Sequence, residues 1–179
     1  MSADGFIEDE IGSFDWTAPD DDVFAFITDL IRPISHHLYG RRLYETMAVW
    51  ETDPTLAGQS DLMATFAQVW AAAEKTVFSS TLNVVATTRT SIERRFDPAS
   101  IRAMKSDLDG DLMVGGANLG AQAFRAGLVD ECQLFIHPLV VGGGKPSLPA
   151  GVRADFDLLD QHRFDNGVVY VRYALRTGG

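Results

Sequence analysis

The chain has a single cysteine, Cys132, among its 179 residues, so no internal disulfide staples it. Cys132 lies in an apolar strand pattern, which points to a buried, inert thiol rather than a nucleophile. Positive charge is also scarce: 15 Lys and Arg against 25 Asp and Glu give a formal net charge of −10. A surface of that sign lacks the basic face that a nucleic acid requires. No apolar run reaches the roughly 18 residues of a membrane span, and the acidic start lacks the regions of a signal peptide. The expected address is the cytoplasm, with no membrane partner. His36 and His37 have no third ligand at a useful spacing, so no metal is expected.

What remains is a globular composition, 46% hydrophobic, long enough to bury one full core. No linker or internal repeat divides residues 1–179, which read as one domain. Ser2 to Pro19 reads as an ordered loop. Asp20 caps a helix with Val23, Phe24, Ile27, Leu30 and Ile31 on one face, ended by Arg32-Pro33. A short strand at His37 to Tyr39 passes through Gly40 into a helix near Arg42 to Trp50. Glu51 to Gln59 is a loop, and Ser60 caps the next helix. Lys75 to Ser80 and Leu82 to Thr88 read as two strands. Asp97-Pro98 opens a helix with proline at its first position. Leu112 to Val114 is a strand that breaks at Gly115-Gly116 into a helix, followed by a strand from about Cys132 to Val141. Gly142 to Ser147 reads as a flexible surface loop, because Pro146 and Pro149 deny it a helix. Asn166-Gly167 signals a closing hairpin, with Val169, Val171, Tyr173 and Leu175 on one face.

Alternating helices and strands predict an α/β fold: a largely parallel central sheet with helices on both faces and an antiparallel C-terminal hairpin. Ligands of such sheets lie beyond the carboxyl ends of the strands, where Gly40, Ser79 and Gly115 should converge. The glycine pair with its following helix is either an anion site or a plain tight turn. It matches neither the dinucleotide fingerprint GxGxxG nor a P-loop. Arg41 and Arg42 oppose the dipole of the helix they open, a misfit that a bound anion would relieve and that simple solvent exposure would explain equally well.

Several stretches resemble a known family in order and spacing: SADGFI with FDWTAP, LYGRRLYETMAVW, KTVFSSTL, VGGANL, GLVDE, HPLVVGGGK and FDNGVVYVRY. They look like the C-terminal reductase domain of the riboflavin-synthesis deaminase-reductases, within the dihydrofolate reductase-like family. That resemblance implies a three-layer dihydrofolate reductase-like fold, an NADPH cofactor and a small heterocyclic, pteridine- or ribosylaminopyrimidine-like substrate. By position it implies that Gly40, Arg41, Arg42, Ser79, Ser80 and Thr81 hold the 2′-phosphate. Gly115, Gly116, Ala117, Asn118 and Leu119 would hold the pyrophosphate, with a cis peptide between the two glycines. Trp16 would lie near the nicotinamide, and Asp21 would anchor the substrate and relay a proton. The rival reading of Asp21, beside Asp20 and Asp22, is a simple complement to the helix dipole. Where the family has SRTL this chain has Ser79-Ser80-Thr81-Leu82, and Arg89 is a candidate to restore the charge. The family's first strand, ahead of SxDG, has only Met1 as a counterpart here. A homodimer is the common family arrangement, and a nucleotide-binding module without turnover is the alternative function.

Overall fold

The computed structural model describes residues 1–176. Parallel strands form its centre because each is returned to its starting end by a helix or a long loop. β1 (Phe6–Glu8) and one 3-10 turn (Asp15–Thr17) precede α1 (Asp21–Ile31). The Asp20 carboxylate accepts the Val23 N–H at 3.0 Å, the cap expected from the sequence. β2 (Ile34–Gly40) leads into α2 (Arg41–Met47), α3 (Val49–Thr52) and α4 (Pro54–Ala57), so the helix expected to reach Trp50 is broken in two and the loop after it is partly helical. α5 (Asp61–Ala72), capped by Ser60, leads to β3 (Glu74–Phe78).

The strand expected over Leu82–Thr88 is absent, and β4 is Thr90–Glu93. β4 pairs parallel with β3, Lys75 opposite Thr90. The intervening residues must therefore carry the chain back along the whole strand, and the pull on them is burial: Leu82 and Val85 pack on the core while the Tyr44 hydroxyl accepts the Ala86 N–H at 2.8 Å. Arg89 takes φ +49° as the chain turns into β4. α6 (Pro98–Asp107), β5 (Asp111–Gly115), α7 (Ala117–Arg125) and β6 (Glu131–Ile136) follow, β6 ending before Pro138 rather than continuing to Val141. The glycine loop is not a free surface loop, since β7 (Lys145–Pro146) pairs antiparallel with β1. β8 (Phe156–Arg163) and β9 (Val169–Leu175) make the expected hairpin. Gly167 alone takes positive φ in its turn, and the most deeply buried residue of β9 is Tyr170, on the face opposite the one singled out above.

The main sheet has the order β4-β3-β2-β5, and β6-β9-β8 form a second. Leu38 faces one side, with Ile101, Leu119, Ala123 and Leu128. Tyr39 faces the other, with Phe66, Trp70 and Val77. This is the α/β arrangement expected from the sequence, with one interruption. β5 and β6 are each the end strand of a sheet, and between them runs a cleft of about 730 Å³ lined by Leu112, Val114, Gln133 and Phe135 with α1 residues such as Ile27 and Leu30. The chain start runs beside the end of β6. Ser2 bridges His137 in parallel, the Met1 ammonium donates to the Phe135 carbonyl, and the Ala3 N–H donates to Leu139 O at 2.8 Å.

His37 is fully buried on β2, its ring stacked 5.4 Å from that of Tyr39, and neither nitrogen has a hydrogen-bond partner among the described residues. Burial, helped by the Lys75 and His36 charges, pushes it down to about 4.

Two outcomes are expected. Six apolar, strand-forming residues joined ahead of Met1 should add several backbone hydrogen bonds at about 1 kcal/mol each and raise the melting temperature by roughly 5–10 °C; a version with alternate prolines should give no gain. For His37, the unfolded chain takes up a proton below pH 6.5 that the folded chain refuses until about 4, so stability falls as pH falls through that window. Between pH 7 and 5 the loss is about 2 kcal/mol, and His37→Phe should remove it in denaturant titrations at the two pH values.

Candidate functional site

Register brings the predicted residues to one edge. Gly40 lies opposite Phe78 across β2–β3, and Tyr39 opposite Gly115 across β2–β5, so the three strands end level. Each then turns at a residue singled out from the sequence: Arg41, Ser79 and Gly116.

At the β2–β3 corner, Arg41 Nη1 donates to Thr81 Oγ1 at 2.9 Å while its Nε donates to Glu45 Oε1 at 2.7 Å. The buried Ser79 oxygen accepts the N–H groups of Thr81 and Leu82 at 3.3 and 3.0 Å. Its hydroxyl oxygen therefore shapes the loop. Ser80 and Thr81 are exposed. Arg94, unforeseen from the sequence, donates from one Nη1 to the carbonyls of Ser79 (3.1 Å) and Leu82 (2.6 Å). Arg89, the expected replacement for a missing basic residue, belongs to the far end of the sheet: it pairs with Glu74 at 2.9 Å, where β3 begins.

Arg42 turns the other way. Its Nη1 lies 3.7 Å from Glu8 Oε1, and Lys145 Nζ lies 3.6 Å from the same oxygen. The three border a recess of about 570 Å³ with Asp9, Glu10 and Gly144. The two arginines thus face different corners, where the family resemblance implies one phosphate for both. The glycine loop is fastened here as well. Asp4 accepts the N–H groups of Val141 and Gly142 at 3.2 and 2.7 Å, and a Cβ at Gly144 would lie 2.0 Å from Glu8 O.

The glycine pair contains no cis peptide; none occurs among the described residues. The turn is made instead by Gly116 at φ +93°, ψ 130°, a region that side chains avoid. Gly115 serves packing, since a Cβ there would lie 2.6 Å from Leu43 Cδ2 and 3.1 Å from a Tyr39 ring carbon. No side chain caps the first turn of α7, so the N–H groups of Ala117, Asn118 and Leu119 remain for an external acceptor. The Leu119 side chain is buried against Leu38 and Ile101, which leaves only its backbone for a ligand.

The substrate-end candidates are less closely joined. Trp16 is half-buried edge-on to His137, ring centroids 5.6 Å apart, and its Nε1–H has no partner among the described residues. Asp21 is exposed in the first turn of α1, beside Asp20, whose carboxylate accepts from Asn166 Nδ2 at 2.7 Å. The described residues contain no cluster of three potential metal ligands and no helix long and apolar enough to cross a membrane. Burial pushes the Cys132 thiol up to about 11, which suits an inert core group.

Residues 1–170 match the profile described as the RibD C-terminal domain. The uncharacterized protein YyaP of Bacillus subtilis (strain 168) is 30% identical over 175 residues, covering 97% of this chain and 90% of its own length. In structure, a putative riboflavin biosynthesis protein from Shewanella sp. PV-4 aligns with a TM-score of 0.73 at 17% identity, over 98% of this chain and 95% of the other. A pyrimidine reductase-like protein from Corynebacterium diphtheriae aligns at 0.64 and 13%, over 99% and 90%. Acinetobacter baumannii RibD aligns at 0.66 and 13%, over 98% of this chain and 55% of its own.

Gly115→Ala should crowd Leu43 and Tyr39 and cost about 1–3 kcal/mol, read by urea denaturation; an unchanged midpoint would show that the close packing at this turn is not tight.

Proposed function

Because the chain belongs to the RibD C-terminal domain family, a reductase-domain family of riboflavin biosynthesis, we propose that it is an NADPH-dependent reductase of a small heterocyclic substrate, pteridine- or ribosylaminopyrimidine-like. The observation that carries this reading is the 2.9 Å bond from Arg41 to Thr81, which joins two turns distant in sequence into one polar corner beside Ser79.

The residues present fit the cofactor. Arg41, Ser79, Ser80 and Thr81 would hold the adenosine 2′-phosphate, with Gly40 keeping the approach open, since a Cβ there meets nothing within 4 Å. Gly116 and the free N–H groups of Ala117, Asn118 and Leu119 would face the pyrophosphate. Arg42, held at the next corner by Glu8, would neutralise charge on that side. Bound NADPH would supply the hydride. Trp16 would shield the nicotinamide end from water, and the exposed Asp21 carboxylate would bind an amino-substituted ring and relay a proton. The second reading, a nucleotide-binding module without turnover, is favoured by one observation: among the described residues Asp21 makes no side-chain hydrogen bond that would orient it for proton transfer. A homodimer would form on exposed β8, where Leu158 and Leu159 are 53% and 49% exposed.

NADPH is expected to bind more tightly than NADH. Arg41→Ala removes a charge-assisted contact worth about 1.5–3 kcal/mol, so it should weaken NADPH by roughly 10–150-fold and NADH little. Fluorescence titration of both dinucleotides checks this, and equal losses would sink the assignment of Arg41. Oxidation of NADPH in the presence of candidate heterocycles separates the enzyme from the silent module.

A further inference from the structure

The turn between β8 and β9 is tied to the start of α1 through the Asn166 side chain. Its Nδ2 donates to Asp20 Oδ2 at 2.7 Å, while its Oδ1 accepts the Val168 N–H at 2.9 Å. The amide can face no other way, because a carboxylate only accepts and an N–H only donates. Asp20 uses its other oxygen, Oδ1, to cap α1 at Val23, so one carboxylate joins hairpin to helix. The turn is exposed at Asp165, Asn166 and Gly167. It is anchored by the buried Phe164 and Val168, joined by a 2.9 Å bond from the Phe164 N–H to the Val168 carbonyl. Gly167 is required there: it takes φ +88°, and a Cβ would lie 3.2 Å from Pro138 Cγ.

The same requirement opens the turn to chemistry. Asparagine is thermolabile, and most so before glycine, where no side chain shields the next backbone nitrogen. That nitrogen, of Gly167, adds to Asn166 Cγ; the Cγ–Nδ2 bond breaks, and ammonia leaves with the proton the glycine nitrogen gave up. Water then opens the resulting succinimide at either carbonyl, leaving aspartate or isoaspartate. No oxidant or reductant takes part. The Val168 N–H already points at Oδ1, where charge develops during the attack. Asp20 opposes the reaction, because its carboxylate holds the leaving nitrogen and repels the developing negative charge. Asn83 and Asn118 lack the motif, being followed by Val84 and Leu119.

We propose that Asn166 is a site of spontaneous deamidation, restrained by Asp20, and that its conversion unlatches the closing hairpin from α1. The product carboxylate stands against Asp20 where a donor stood, so attraction becomes repulsion. The isoaspartate form also adds a backbone carbon to a turn closed around Gly167. The first turn of α1, which carries Asp21, then loses this tie to the β8–β9 hairpin. No cofactor or substrate is needed for any of these steps.

Incubating the full chain at mildly alkaline pH, folded and in guanidinium, and mapping by peptide mass the amides that have become acids tests this. Folded wild type should convert at Asn166 ahead of Asn83 and Asn118, and at least tenfold more slowly than the unfolded chain. Asp20→Ser, which keeps a helix-capping oxygen but no second acceptor, should convert at least fivefold faster than folded wild type. Asp20→Asn takes its place if the serine variant does not fold. Asn166→Asp, the product, should melt several degrees below wild type, and that drop should at least halve in the Asp20→Ser background. Equal rates in wild type and Asp20→Ser, or in folded and unfolded chains, would overturn the restraint. Earlier conversion at Asn83 or Asn118 would overturn the site. A melting temperature unchanged by Asn166→Asp, or a drop that persists in full without Asp20, would overturn the unlatching.

Discussion

Parallel pairing on both sides of β2 is the constraint on which the rest depends. It sends Leu38 to one helical layer and Tyr39 to the other, each 2% exposed. Because side chains alternate along a strand, a slip of one residue would drive both to the wrong face. The same register levels the ends of β2, β3 and β5. Apolar burial far from any ligand thus fixes the place at which Arg41 can reach Thr81.

Electrostatics works locally against the overall charge. Arg41 and Arg42 are adjacent in sequence but splayed in space, one toward Thr81 and Glu45, the other toward Glu8 and Lys145. The exposed Arg41–Glu45 pair contributes about 0–1 kcal/mol, so its carboxylate holds the guanidinium in position without binding it strongly. Glu8 has a further effect, because its side chain is largely buried and joins β1, α2 and β7 through two cations.

Much of this was legible because the signals were local. Asp20, Ser60 and Asp97 cap helices where their spacing to the following apolar residues placed them, and the family motifs located the three turns. The misreadings arise where distant contacts override local pattern. Leu82–Thr88 has the composition of a strand, yet Tyr44 and the core capture it as a crossover loop. The same displacement puts Arg89 at the far end of the sheet and Arg94 beside Ser79. Leu119 lay in a ligand motif, but its helical position turns it inward. The turn at the glycine pair needed only a positive φ at Gly116, which the sequence permits without indicating which peptide geometry achieves it.

The ladder between Met1–Ala3 and Phe135–Leu139 spans 134 residues of chain, and this bears on how the protein is born. At a ribosome adding roughly 5–20 residues per second, the partner of the first residues emerges about 7–27 s after them. For that interval the first residues have no strand to pair with, and the start of the chain can only wait. Nascent molecules therefore present apolar surface and an unfinished sheet to their surroundings, a natural point of engagement for chaperones during synthesis.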